Sequence, residues 1–146
     1  MQSRTIWQEK MSFVGESEGH RVNMDAKAPI GAGSGLTPKE LVALGIAGCT
    51  AMDVVSLLRK YHQPLQKFEI ITNVTATQGV HPAVFKEVEL VYQLEGQLDS
   101  AKVIEAVQLS QTKYCGVSAM ISKSAPIHYR IEVNGKQIAV GEAAFE

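Results

Sequence analysis

Between Pro38 and Tyr61 the chain carries Leu41, Val42, Leu44, Ile46, Met52, Val54, Val55 and Leu57, and as a helix this run is apolar around most of its circumference. A surface helix confines its apolar residues to one stripe. This one does not, so it is expected to be buried on nearly all sides. Its start is marked three times: Thr37 can cap, Pro38 suits the first helical position, and Glu40 stands three residues after Thr37, as a capping box requires. A helix of roughly six turns needs more cover than the rest of a 146-residue chain readily supplies. The pattern therefore asks for a second subunit as part of that cover.

The segments on either side read mainly as β structure. Ile6 to Met24 alternates in short runs around a polar turn, Gly15 to Gly19, and predicts a β-hairpin. Ala28 to Leu36 is rich in Pro and Gly and predicts an exposed, flexible entry loop. Phe68 to Thr77 and Val84 to Leu94 predict a second hairpin turning at Gly79 to Pro82. Asp99 can cap a helix running to about Thr112, with Val103, Ile104, Val107 and Leu109 inward. A short helix over Val117 to Ile121, a strand over Ile127 to Val133, an Asn134-Gly135 turn and a last strand over Gln137 to Val140 complete the chain. This order is α+β, not a repeated βαβ winding, and the length predicts a single domain over residues 1–146.

Composition narrows the function classes. The 14 basic and 15 acidic residues are interspersed, and with a net charge of −1 no run of one sign is long enough to track a phosphate backbone or an acidic membrane surface. Nucleic acid and membrane are not expected partners. Met1 to Lys10 lacks the continuous apolar stretch of a secretory signal, and Gly45, Gly48 and Asp53 interrupt the most apolar run, so a cytoplasmic location is expected. In that reducing compartment a pair of cysteines is a plain buried pair or one that cycles during redox chemistry, not a permanent staple.

Those two cysteines, Cys49 and Cys115, carry the candidate chemistry. Cys49 lies inside the long helix, where the bland alternative is a small buried hydrophobe. Gly45 and Gly48, each costing up to about 1 kcal/mol against Ala in a helix interior, suggest a close neighbour packed near its sulfur. Asp53, one turn later on the same side, would oppose a neighbouring thiolate. Cys115 sits at a helix start near Lys113, a setting that favours the thiolate. Local physics alone thus makes Cys115 the better activated sulfur and Cys49 the better buried one. His20, His62, His81 and His128 show no metal-ligand spacing with either cysteine, so no metal is expected. The loop Gly31-Ala32-Gly33-Ser34-Gly35 lacks the spacing of a phosphate cradle, and Glu40 is explained most simply as the capping partner of Thr37.

Thr37-Pro38-Lys39-Glu40-Leu41 followed by Gly48-Cys49-Thr50-Ala51-Met52-Asp53-Val54-Val55, and Tyr114-Cys115-Gly116-Val117-Ser118-Ala119 before Ser124-Ala125-Pro126-Ile127, resemble the OsmC/Ohr superfamily of thiol-dependent peroxidases, especially its OsmC-like branch. The resemblance implies an intertwined homodimer with two central helices wrapped by antiparallel sheets. It implies that Cys49 reacts with an organic hydroperoxide and Cys115 resolves the product to a disulfide, reversing the local ordering. No cofactor is implied, only an external thiol reductant, and a role in oxidative or osmotic stress. In the family's peroxidases a glutamate follows the proline directly and helps hold an activating arginine. Here Lys39 occupies that position and the acid is Glu40, with Arg21 as the candidate arginine; Gly116 stands where many relatives have proline. Ile46, Met52, Val117 and Met120 are expected to form apolar walls suited to an organic substrate. The alternative function is a non-enzymatic dimer of the same scaffold that binds a small apolar ligand or senses redox state.

Overall fold

The computed structural model describes every residue, Met1 to Glu146. The chain forms two compact units, Met1–Ala43 and Leu44–Glu146, the boundary falling in the second turn of the long helix.

The N-terminal unit is an antiparallel meander of β1 (Ser3–Glu9), β2 (Ser12–Ser17) and β3 (His20–Met24). The expected hairpin is there, but its turn is confined to Glu18 and Gly19, while Gly15 and Glu16 pair within β2 and an additional strand precedes them. After β3 the chain is tied down more firmly than a Gly-rich entry loop predicts. The Asp25 carboxylate accepts from the backbone N–H of Ala26, Ala32 and Ser34 and from the Ser34 hydroxyl. These hydrogen bonds, led by those from Ser34, hold Asp25 below the ordinary aspartate value. Gly31 is required by proximity: a Cβ there would collide with the Ala26 carbonyl and the Asp25 carboxylate. The segment is a loop built around one carboxylate.

Helix α1 (Pro38–Lys60) begins with the expected capping box, Thr37 N–H donating to Glu40 at 2.7 Å and Glu40 N–H donating to the Thr37 hydroxyl at 3.2 Å. By length and composition α1 could cross a membrane, its best window having a mean hydropathy of 2.0, despite the interruptions read from the sequence. In this fold it instead lays one stripe, Ile46, Thr50, Val54 and Leu58, into the protein core. The all-round burial expected for it is not supplied by one chain: Leu44 is 55% and Met52 75% exposed.

The C-terminal unit is a four-stranded sheet in the order β4 (Leu65–Ala76), β5 (Phe85–Gly96), β6 (Ile127–Val133), β7 (Lys136–Glu142). The β4–β5 and β6–β7 pairs are antiparallel hairpins, whereas β5 and β6 run parallel, joined by a helical crossover. Alternate residues Val88, Leu90, Tyr92 and Leu94 of β5 and Ile127, Tyr129, Ile131 and Val133 of β6 form one buried face. Against it pack the α1 stripe and the inner side of α2 (Ser100–Leu109), whose start Asp99 caps by accepting from Ala101 N–H. The expected continuation of α2 to Thr112 widens at Ser110–Tyr114 into a π-helical turn, closed by Cys115 N–H donating to the Ser110 carbonyl at 2.9 Å. The extra residue in that turn lets consecutive Ser110 and Gln111 both face inward, and α3 (Gly116–Ile121) starts afresh from Cys115.

Candidate active site

Helix α1 supplies Cys49, Thr50 and Asp53 within little more than one turn, and the end of the π-helical turn supplies Cys115. The two sulfurs and an Asp53 carboxylate oxygen all lie within 4.8 Å of one another. Both cysteines are free thiols, Cys49 partly accessible and Cys115 fully buried. The burial order is therefore the reverse of the one local physics gave.

The reason lies in what surrounds Cys115. Its backbone does cap α3, and its sulfur accepts from Ser118 N–H at 3.3 Å. Lys113 is exposed, and its ammonium lies over the Tyr114 ring. Burial dominates and pushes the Cys115 thiol up to about 11, hydrogen bonds from Ser118 offsetting part of the rise and the adjacent Cys49 sulfur adding to it.

Beneath the sulfurs runs a chain of buried hydroxyls that the sequence reading did not anticipate. Tyr92 Oη lies 2.8 Å from Thr50 Oγ1, Thr50 Oγ1 lies 2.7 Å from Ser110 Oγ, and Ser110 Oγ donates to Asp53 Oδ2 at 2.9 Å. A carboxylate only accepts and each hydroxyl has one proton. The polarity is thus fixed along the whole chain: Tyr92 donates to Thr50, Thr50 to Ser110, and Ser110 to Asp53. Desolvation raises the Tyr92 phenol, keeping its proton in place for this role. On the Cys115 side Gln111 Nε2 donates to Ser118 Oγ at 3.1 Å, while the buried Gln111 Oε1 has no partner. Tyr92 and Ser110 carried no motif; only Thr50, beside Cys49, and Asp53 stood in a stretch already singled out.

Glu40 and Arg21 belong to the N-terminal unit. One Glu40 oxygen holds the Thr37 N–H and the other pairs with Lys27 at 3.3 Å, which together keep its carboxyl below the ordinary glutamate value. Arg21 is exposed on β3 and pairs with Glu16 at 3.1 Å. Of the expected apolar walls, Ile46 is fully buried in the core and is not a wall, Val117 is half-buried, and Met52 and Met120 are exposed. The close neighbour expected at Gly45 and Gly48 is also missing within the chain, since a Cβ at either would meet nothing within 4 Å. For a soft cation the cluster offers two sulfurs and one carboxylate, with no histidine among them.

A family model described as OsmC-like protein matches residues 31–130, a span containing both cysteines. Protein YhfA of Escherichia coli K12 is 37% identical over 140 residues, covering 91% of this chain and 98% of that protein. Among solved structures, a hypothetical protein from Aquifex aeolicus VF5 superposes with a TM-score of 0.83 at 25% identity, covering 91% of this chain and 95% of its own. The organic hydroperoxide resistance protein OsmC of Legionella pneumophila shares the fold, with a TM-score of 0.67 at 17% identity over 90% of this chain and 95% of its own.

Proposed function

The chain belongs to the OsmC-like family, and we propose that it is a thiol-dependent peroxidase in which Cys49 reduces an organic hydroperoxide and Cys115 resolves the product. The observation that carries this reading is the placement of a partly accessible sulfur against a buried one, both within a 4.8 Å cluster. The Cys49 thiolate attacks the hydroperoxide; the O–O bond breaks, the alkoxide takes a proton and leaves as alcohol, and Cys49 becomes a sulfenic acid. Condensation with Cys115 releases water and forms the disulfide. An external thiol then returns both sulfurs to the reduced state by exchange.

Arg21 is assigned the cation that favours the Cys49 thiolate, and Glu40 the acid that orients it. Their present partners, Glu16 and Lys27, form exposed ion pairs of the kind worth at most about 1 kcal/mol, so these pairs do not prevent the assignment. The working form is a homodimer in the cytoplasm. Supporting it are the uncovered apolar face of α1 and the open space at Gly45 and Gly48, which a second copy would fill.

The test is single-turnover reaction with an organic hydroperoxide, followed by mass spectrometry without reduction. Wild type is expected to consume one equivalent per subunit and yield the Cys49 peptide linked to that of Cys115. Cys49→Ser is expected to consume none. Cys115→Ser is expected to consume one and stop at a trappable sulfenic acid on Cys49. Absence of sulfenic label in both variants, with no consumption by wild type, would replace this reading with a non-enzymatic dimer.

A further inference from the structure

The resolving step poses a problem that the cluster itself answers. Cys115 is buried, and burial pushes its thiol up to about 11, so the thiolate is scarce at neutral pH. A thiol attacks sulfur as the thiolate. Something within reach must take the proton as the sulfur–sulfur bond forms, and Asp53 is the one carboxylate in the cluster, with no histidine beside it.

We infer that Asp53 is the catalytic base of disulfide closure, accepting the Cys115 thiol proton on its carboxylate while Ser110, backed by Thr50 and Tyr92, anchors that carboxylate through Oδ2. The inference rests on the dithiol reading above and adds to it a proton acceptor. Two observations and one point of carboxyl chemistry converge. The carboxylate oxygen and both sulfurs share one 4.8 Å cluster. The hydroxyl chain gives Oδ2 a donor from across the fold, 57 residues away in sequence, and leaves Oδ1 outside that hydrogen bond. A protonated carboxyl can still accept on Oδ2, so taking the proton does not require the chain to break.

The balance is simple. The Cys115 S–H bond breaks and its proton passes to the Asp53 carboxylate. The sulfur's electron pair forms the bond to Cys49, and the S–O bond of the sulfenic acid breaks with its pair going to oxygen. The departing hydroxide takes the proton from Asp53 and leaves as water, restoring the carboxylate. Ser110, Thr50 and Tyr92 touch neither sulfur in this step and are positioning residues.

A hydroperoxide-free probe separates this inference from the peroxidase reading. With 5,5′-dithiobis(2-nitrobenzoate), Cys49 attack releases one thionitrobenzoate, and Cys115 attack on the resulting mixed disulfide releases a second. The second leaving group needs no proton, so its release isolates deprotonation of Cys115. Asp53→Asn is expected to slow the second release, measured against the first release of the same variant, by about a hundredfold or more, the lower range of general base catalysis. Asp53→Ala is expected to behave likewise and to regain second-phase rate when formate is added, which a merely structural defect would not. Ser110→Ala retains the base and is expected to slow the second phase by about three- to tenfold. Second release at wild-type rate in Asp53→Asn overturns the inference. If Asp53→Asn does not fold, absence of formate rescue in Asp53→Ala with an unchanged second phase in Ser110→Ala overturns it too. A wild type that releases both equivalents yet ignores organic hydroperoxides would defeat the peroxidase reading and leave Asp53 in its role.

Discussion

Helix α1 carries two anchored carboxylates, and they are anchored in opposite ways. Glu40 is held from three residues away by Thr37 and, within the same unit, by Lys27. Asp53 is held by Ser110, itself bonded to Thr50, which is bonded to Tyr92 on β5. The first network is local and partly exposed; the second is assembled only when the helix, the sheet and the π-helical turn are already packed. A local network fixes where a helix begins. A buried one, assembled from distant segments, fixes how elements meet, and here it fixes the atoms beside the two thiols.

The largest effect expected from breaking this contrast is at Thr50. Thr50→Val keeps the shape of the side chain but deprives the buried Tyr92 hydroxyl of its acceptor and Ser110 of a donor. Leaving such groups unpaired inside a protein costs about 1–3 kcal/mol, and a loss of about 2 kcal/mol is expected in urea titration. Thr37→Ala, at the local network, is expected to lose about 1 kcal/mol, the usual value of an N-cap. It is also expected to leave closure of the Cys49–Cys115 pair unchanged, while Thr50→Val slows it. Equal stability losses and equal closure rates in the two variants would show that the distinction between the networks has no consequence.

The same contrast explains what was legible in the sequence. Thr37, Pro38 and Glu40 announced the start of α1 because a capping box is written in four consecutive residues, and Asp99 announced α2 for a similar reason. The strands around Asn134-Gly135 followed from turn chemistry and alternation. Ser110 and Gln111 looked like the polar tail of an ordinary helix; nothing in their neighbours signals that an extra residue turns both inward. The order of the cysteines failed for a related reason. A helix start and a nearby lysine are visible in sequence, but the full burial of Cys115 in the fold is not, and burial outweighed both. The parallel pairing of β5 with β6 was hidden likewise, since the strand order depends on the path of the crossover. The motifs around Cys49 and Cys115 did lead to the right family, while the hydroxyl chain that serves them required the structure.

The smallest expected effect is a difference in pH response between the two units, and its signs are opposite. In the N-terminal unit Asp25 and Glu40 are both held below their ordinary values, chiefly by the N–H groups of Ser34 and Thr37. A carboxylate depressed by folding contributes stability that is fully present above its unfolded pKa, roughly 4.3 for Glu and 3.9 for Asp, and that is lost as pH falls through the folded value. Protection of the Ala32, Ser34 and Thr37 amides from hydrogen exchange is therefore expected to decline below about pH 4. Asp25→Asn is expected to remove most of that dependence at Ala32 and Ser34 while leaving it at Thr37. In the C-terminal unit the Cys115 thiol is raised to about 11. The unfolded chain ionises it near 8.5 while the fold keeps it protonated, so stability falls as pH rises from about 8.5 toward 11. Cys115→Ala is expected to flatten that alkaline decline, read from urea midpoints between pH 8 and pH 10. Protection of the Ala32 and Ser34 amides that persists to pH 3 would show that the Asp25 carboxylate is not what holds its loop, and an unflattened alkaline limb would show that Cys115 ionises as readily in the fold as in the open chain.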